Sequence, residues 1–331
     1  MHIPDNYLSP STCAVMTAAT IPAWVHSVKK VKAEIPKDKM VMLGIGAAFS
    51  FLGMMFNVPL PGGTTGHAVG GTLIAVMLGP EAACIAVTIA LLVQALLFGD
   101  GGILAFGANC FNMAFVLPFV GYYVYRAVLK AMGVNDSPNH DPDIAPGAHS
   151  KRLIAAGVGS YVGINAAALM AAIEFGIQPI LFHTAEGTPL YCPYDLSVSI
   201  PAMMIGHLTI FGLAEVIYTV AILAFIDRTS HTEVYVDSDI KTKPIFGLIA
   251  ALIILTPLGL IATGDAWGEW DIAEIPTMQE NISWNAIMPD YTVGNLPEAV
   301  GYILSAIIGV ALVIILFRIM GAAGKTQTDY S

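Results

Sequence analysis

Long uninterrupted apolar stretches alternate with short polar connectors along this chain. Nine such stretches lie at about 9–28, 40–58, 66–79, 81–98, 103–129, 152–178, 201–226, 244–263 and 296–320. Most reach the roughly 20 residues that a helix needs to cross the hydrocarbon core of a bilayer, so the pattern predicts an all-α membrane protein. The third stretch, opening His67-Ala-Val-Gly-Gly, is short enough to be a re-entrant or buried helix as readily as a full crossing.

Basic residues near span ends collect on the cytoplasmic side. With the amino terminus outside, nine crossings place 29–39, 79–81, 126–152, 227–243 and the tail from 318 inside, and all 14 Lys and Arg residues lie there. The opposite segments, 1–8, 59–66, 99–102, 179–200 and 264–295, contain none. One missed crossing would exchange the sides of everything downstream, so the count and the orientation support each other. The expectation is a multi-pass protein of the cell (cytoplasmic) membrane, its amino terminus outside and its carboxyl terminus cytoplasmic.

Composition narrows the class further. Hydrophobic residues make up 56% of the chain and charged ones 11%, against about 25% charged in a soluble domain. A net charge of -10 argues against nucleic acid as a partner, because its binders carry a basic footprint. The cysteines at 13, 84, 110 and 192 have no CxxC spacing and suggest neither a zinc knot nor a disulfide framework. Residues 1–12 are polar, lack a basic segment and contain two prolines, so they do not read as a signal peptide. With bulky His2 disfavouring removal of the initiator, the free amine is expected on Met1.

Two polar connectors, 131–150 and 227–243, interrupt the apolar pattern. The second divides the chain into a membrane body, residues 1–228, and a two-span unit, residues 229–331. The outside loop of that unit carries Asp265, Glu269, Asp271, Glu274, Glu280 and Asp290 with no basic residue. It reads as a solvated acidic loop, or as a collector that raises local cation concentration. Small residues at 44, 46–48 and along 159–168 permit close helix approach in lipid, either within the chain or to a membrane partner.

The amino terminus carries the most specific chemistry. The Met1 amine, the backbone nitrogen of His2 and the His2 imidazole can form adjoining chelate rings around one metal. Nitrogen ligands in a plane favour Ni(II) or Cu(II), and a less rigid set could take Co(II). His67, on the same predicted face, is the candidate fourth donor. Such a site must lose protons to bind, so affinity falls as pH falls. Asn109 and Asn112, at i and i+3, could hold the leader by hydrogen bonds. Glu174, His207 and Glu215 are ionisable groups within spans, which are functional candidates by default; Glu174 reads as interfacial, and His207 and Glu215 as sharing a helix face about two turns apart. Gly321-Ala-Ala-Gly-Lys-Thr326 has two residues between its glycines where a phosphate loop has four, so no ATP-hydrolysing motif is present.

These residues resemble the CbiM/NikM family, the substrate-binding components of energy-coupling factor transporters for cobalt or nickel. The resemblance is carried by Met1-His-Ile-Pro-Asp with Tyr7-Leu-Ser-Pro10, by Pro61-Gly-Gly-Thr-Thr-Gly-His67, by Gly107-Ala-Asn-Cys-Phe-Asn-Met113 with Pro118-Phe-Val-Gly-Tyr122, and by His207 with Glu215. It implies a seven-helix bundle and a metal held by the Met1 amine, the backbone nitrogen and side chain of His2, and His67. It also implies a membrane coupling (T) component and separate ATPase subunits as partners, with Ni(II) or Co(II) as cargo and no resident cofactor. Asn6 stands where the family commonly has glycine, and asparagine tolerates positive φ better than most residues. The last two spans resemble the accessory hairpin of such systems (CbiN/NikN or PDGLE-like), with Pro289-Asp-Tyr-Thr-Val-Gly in place of the usual Pro-Asp-Gly-Leu-Glu. The competing reading is a proton-coupled secondary transporter using Glu174, His207 and Glu215.

Overall fold

In the computed structural model the described residues are 1–36, 40–59, 64–134, 148–229, 242–261 and 284–323. Most of both polar connectors, the 61–63 part of the glycine turn and all the acidic residues of the outside loop except Asp290 lie outside them. The described chain is mostly helical, and six helical stretches, 80–98, 106–131, 149–181, 196–229, 243–261 and 298–322, are long and apolar enough to cross a membrane.

Helix α1 (Pro10–Glu34) starts where Ser9 caps it, its hydroxyl accepting from Thr12 N–H at 3.0 Å, with Pro10 in the first turn. Helix α2 (Met40–Met54) is almost wholly buried. A two-residue ribbon, β1 (Val58–Pro59) with β2 (Thr65–Gly66), then leads into α3 (Gly71–Leu78) and α4 (Pro80–Val93). Eight residues of α3 rise about 12 Å, well short of the roughly 30 Å hydrocarbon core. Non-helical chain at 64–70 precedes it, buried throughout. Non-helical backbone at membrane depth persists only inside protein, and Glu215 supplies part of that shelter by accepting from Val69 N–H at 2.7 Å and Gly70 N–H at 3.1 Å.

The remaining body comprises α5 (Phe106–Asn109), α6 (Leu117–Ala131), α7 (Ala148–Gly176), α8 (Gln178–Leu181), α9 (Leu196–Gly206) and α10 (Gly212–Thr229). Three wide π-helical turns interrupt it: Gln94–Phe98 after α4, Cys110–Val116 between α5 and α6, and His207–Phe211 between α9 and α10. Helices α11 (Thr242–Leu255) and α12 (Glu298–Ala323) are the last two α-helices among the described residues.

Both small-residue faces are spent on packing within the chain. A Cβ at Gly159 would stand 2.5 Å from Gly121 O and one at Gly163 2.7 Å from Leu117 O, so these glycines let α7 lie against α6. Gly44 faces Ile314 and Phe317 of α12, and Gly46 faces Ile74 of α3. All four cysteines are buried and free.

Polar contacts gather at two ends. At one, Lys30 pairs with Glu81 at 2.9 Å and Arg152 with Asp227 at 2.9 Å. At the other, across the length of α1, the leader meets Thr65, Asp100 and Cys192. The segments that the charge pattern assigns to one side thus meet one another.

Candidate metal centre

Residues 1–8 fold back into the body as a plug. Ile3, Tyr7 and Leu8 are buried, and Tyr7 meets Phe175 edge-on with centroids 5.8 Å apart. Asn6 has φ 71°, the left-handed conformation that the sequence reading associates with this position. Asn109 grips the leader backbone at both sides of Ile3: Ile3 N–H donates to Asn109 Oδ1 at 2.8 Å, and Asn109 Nδ2 donates to Ile3 O at 3.0 Å. Gly102 N–H also donates to Ile3 O, at 2.9 Å. The Asp5 carboxylate accepts from Ile103 N–H at 2.9 Å and Leu104 N–H at 2.8 Å. Further along, Ser9 N–H donates to Gln178 Oε1 and Cys192 N–H to Tyr7 O.

This seating brings three of the sequence candidates together. The Met1 amine donates to Thr65 O at 3.0 Å, two residues before His67. His2 Nδ1 lies 3.1 Å from His67 Nε2, with ring centroids 4.7 Å apart. Met1, His2 and His67 are each nearly inaccessible to solvent, at 3%, 5% and 2%. His67 Nδ1 sits 3.3 Å from Ala68 O; a proton there donates to that carbonyl and leaves the Nε2 lone pair facing His2, the arrangement that orients a metal-binding histidine. In that tautomer the neutral ring can ligate through Nε2.

The spacing suits a small cation. Two nitrogens about 2.0 Å from one ion lie about 2.8 Å apart at a right angle and about 3.3 Å apart at a tetrahedral angle; the observed 3.1 Å falls between. Among the described residues no group of three His, Cys, Asp or Glu side chains is arranged to hold a metal. Main-chain nitrogen would therefore have to complete the set, and the amine and the His2 amide are the nitrogens at hand.

Asp100 was not singled out in the sequence, yet its Oδ1 lies 3.1 Å from His2 Nδ1. Burial raises its pKa, while the Tyr291 hydroxyl and the terminal amine favour the charged form. The signal was available: Asp100 is the one charged residue in the 99–102 segment, on the same predicted face as Met1. The glycines around it serve the approach. Gly101 has φ 86°, and a Cβ there would stand 3.2 Å from both the His2 ring and the Asn109 amide.

Other sequence candidates lie elsewhere. Asn112 does not hold the leader; its Nδ2 donates to Glu174 Oε2 at 2.9 Å. The wide turn that begins at Cys110 breaks the α-helical register on which the i, i+3 expectation rested. Glu174 is buried rather than interfacial. His207 and Glu215 are both fully buried. Eight residues turn an ideal α-helix by about 800°, some 80° past two turns, but the wide turn at His207–Phe211 absorbs an extra residue and realigns them. Phe211 and Glu215 lie toward 64–70 and His207 packs on Phe211: Glu215 bonds Val69 and Gly70, the Phe211 ring occupies the space a Gly66 side chain would need, and the His207 and Phe211 ring centroids are 5.0 Å apart. Glu174, His207 and Glu215 do not bond one another, since His207 Nδ1 is engaged by Met203 O and each carboxylate by another segment.

Comparison with known proteins agrees with this architecture. A family model described as "Cobalt uptake substrate-specific transmembrane region" (CbiM) matches residues 2–233, and a PDGLE domain model matches 241–326. The chain is 48% identical to a probable fused nickel transport protein, LarMN, of Lactiplantibacillus plantarum, covering 99% of each chain. It is 45% identical to the fused nickel transport protein NikMN of Rhodobacter capsulatus, covering 95% of each. A crystal structure of a truncated transition metal transporter superposes with a TM-score of 0.62 at 53% identity, covering 69% of this chain and 99% of that one. The chain belongs to the CbiM family of cobalt uptake substrate-specific transmembrane regions, followed in the same polypeptide by a PDGLE domain.

Proposed function

We propose that this chain is the substrate-binding membrane subunit of an ATP-driven energy-coupling factor transporter that takes up Ni(II) or Co(II). The observation that carries the reading is the 3.1 Å approach of His2 Nδ1 to His67 Nε2 beside a buried amino-terminal amine. The cation enters from the outer face of the cytoplasmic membrane and is held by the Met1 amine, the His2 backbone nitrogen, His2 Nδ1 and His67 Nε2. Met1 and His2 both belong to the leader, so the same residues that bind the metal close the site over it. Asn109 and Asp5 fix that lid, while Glu215 supports the 64–70 segment that carries His67. Nickel is favoured of the two, because four nitrogens suit its planar geometry and the two full-length relatives are named as nickel transport proteins.

Release inward requires the plug to be withdrawn. A separate membrane coupling component and ATPase subunits supply that work in this reading, since the chain has no phosphate-binding loop of its own. Proteoliposomes provide the test. With the chain, the coupling component and the ATPases present, ATP should drive accumulation of radioactive nickel, and Glu215→Gln should leave nickel binding within about threefold. Uptake by the chain alone, driven by a proton gradient and abolished by Glu215→Gln, would instead establish the proton-coupled mechanism.

A further inference from the structure

The segment before α12 reaches the metal centre. Tyr291, in the part of the chain matched by the PDGLE model, is 5% exposed, and its hydroxyl donates to Asp100 Oδ2 at 2.5 Å while accepting from Gln94 Nε2 at 2.9 Å. The other oxygen of the same carboxylate faces His2 Nδ1 at 3.1 Å. A continuous polar path therefore runs Tyr291, Asp100, His2, His67, from the accessory domain to the candidate ligands.

The backbone at this point is held against its preference. Asp290 and Tyr291 have φ of 52° and 58°, a conformation that is uncommon for any non-glycine residue and an outlier for a bulky one. Such a conformation persists only where its surroundings enforce it. Here the Tyr291 ring stacks on Phe98 with centroids 4.8 Å apart, Ser305 Oγ donates to Tyr291 O at 2.9 Å, and Met288 N–H donates to Leu97 O at 2.8 Å. These contacts fasten the strained turn to the Gln94–Phe98 turn, and what the strain delivers is a hydroxyl at Asp100.

Charge counting gives that delivery a purpose, and it rests on the metal-site reading above. A divalent ion bound by a neutral amine, one deprotonated backbone amide and two neutral imidazoles leaves a complex of net charge +1. That complex is buried, and a buried unpaired charge is costly unless it is paired. Asp5 is spent on the backbone N–H groups of residues 103 and 104. Asp100 is the carboxylate beside the ligating nitrogen.

We propose that Asp100 is the counter-charge of the loaded metal site and that Tyr291 of the PDGLE domain is the residue that positions it, so that the accessory domain sets the affinity of the centre. Loss of the Tyr291 hydroxyl therefore frees the Asp100 side chain to turn away from His2.

The test is a double-mutant cycle on the full chain with its native amino terminus, with nickel affinity measured by competition against a chelator. Asp100→Asn should weaken binding about 10- to 100-fold, the range found when groups supporting metal ligands are removed. Tyr291→Phe, which keeps the ring stacked on Phe98, should weaken it about 3- to 10-fold. Adding Tyr291→Phe to Asp100→Asn should cost nothing further, and the nickel absorption band at saturation should be the same in all four proteins. Unchanged affinity in Tyr291→Phe, or an equal loss in the presence and absence of Asp100, overturns the proposal while leaving the metal site standing. Failure of the parent protein to bind nickel overturns both.

Discussion

Removal of Asn109 probes the seating of the leader, because its side chain bonds the leader backbone on both sides of Ile3. In Asn109→Ala, the N–H of Ile3 loses its acceptor in a residue that is 0% exposed. A buried unpaired donor costs about 1–3 kcal/mol. Ile3 O loses one of two donors but keeps Gly102 N–H, a smaller loss of about 0.5–1 kcal/mol. The sum, about 1.5–4 kcal/mol, corresponds to roughly a tenfold to several-hundredfold rise in the unseated population. Hydrogen exchange reads this directly, since the amides of Gly102 and Cys192 donate to the leader carbonyls of Ile3 and Tyr7. Both should exchange at least about tenfold faster in the variant, whereas amides within α7 should not change. Nickel affinity should fall in the same direction, because only the seated fraction can place His2 beside His67. Exchange at Gly102 and Cys192 within about twofold of the parent, with unchanged affinity, would refute the claim that Asn109 holds the lid.

Two further substitutions probe the packing. A Cβ at Gly102 would stand 2.5 Å from the backbone nitrogen of Asp5, so Gly102→Ala should unseat the leader and reduce nickel affinity at least as much as Asn109→Ala, while the thermal midpoint of the bundle in detergent stays within a few degrees. Gly159→Val should force α7 away from Gly121 and cost about 1–3 kcal/mol by overpacking, lowering the midpoint by several degrees. Gly247→Ala, with open space around it, should leave the midpoint unchanged.

The body of this molecule was legible because lipid imposes strong rules. Apolar run length located the helices, and the confinement of basic residues predicted which connectors meet. The candidate site was legible at Met1, His2 and His67 because their donor types have a recognisable chelating arrangement, and at Asn109 through its place beside the leader. What escaped has physical causes. The three π-helical turns leave no apolar signature, so the facing of Asn112 could not be read from α-helical spacing, and His207 aligns with Glu215 through an inserted residue rather than through two regular turns. The contribution of Tyr291 depends on a strained backbone 191 residues away from Asp100 in sequence, and no local pattern announces such a contact. Asp5 was hidden for a similar reason: its partners are backbone N–H groups, which carry no sequence signal.

The central claim is that a free amino terminus and His67 together form the metal site. The measurement that tests it most directly is nickel binding to purified protein with a native amino terminus, compared with a form carrying one extra residue before Met1 and with His67→Ala. The account predicts stoichiometric tight binding in the native form and its loss in both variants, since extension converts the amine into an amide and His67→Ala removes the fourth nitrogen. Unchanged affinity in the extended protein would contradict it and would move the metal site away from the leader.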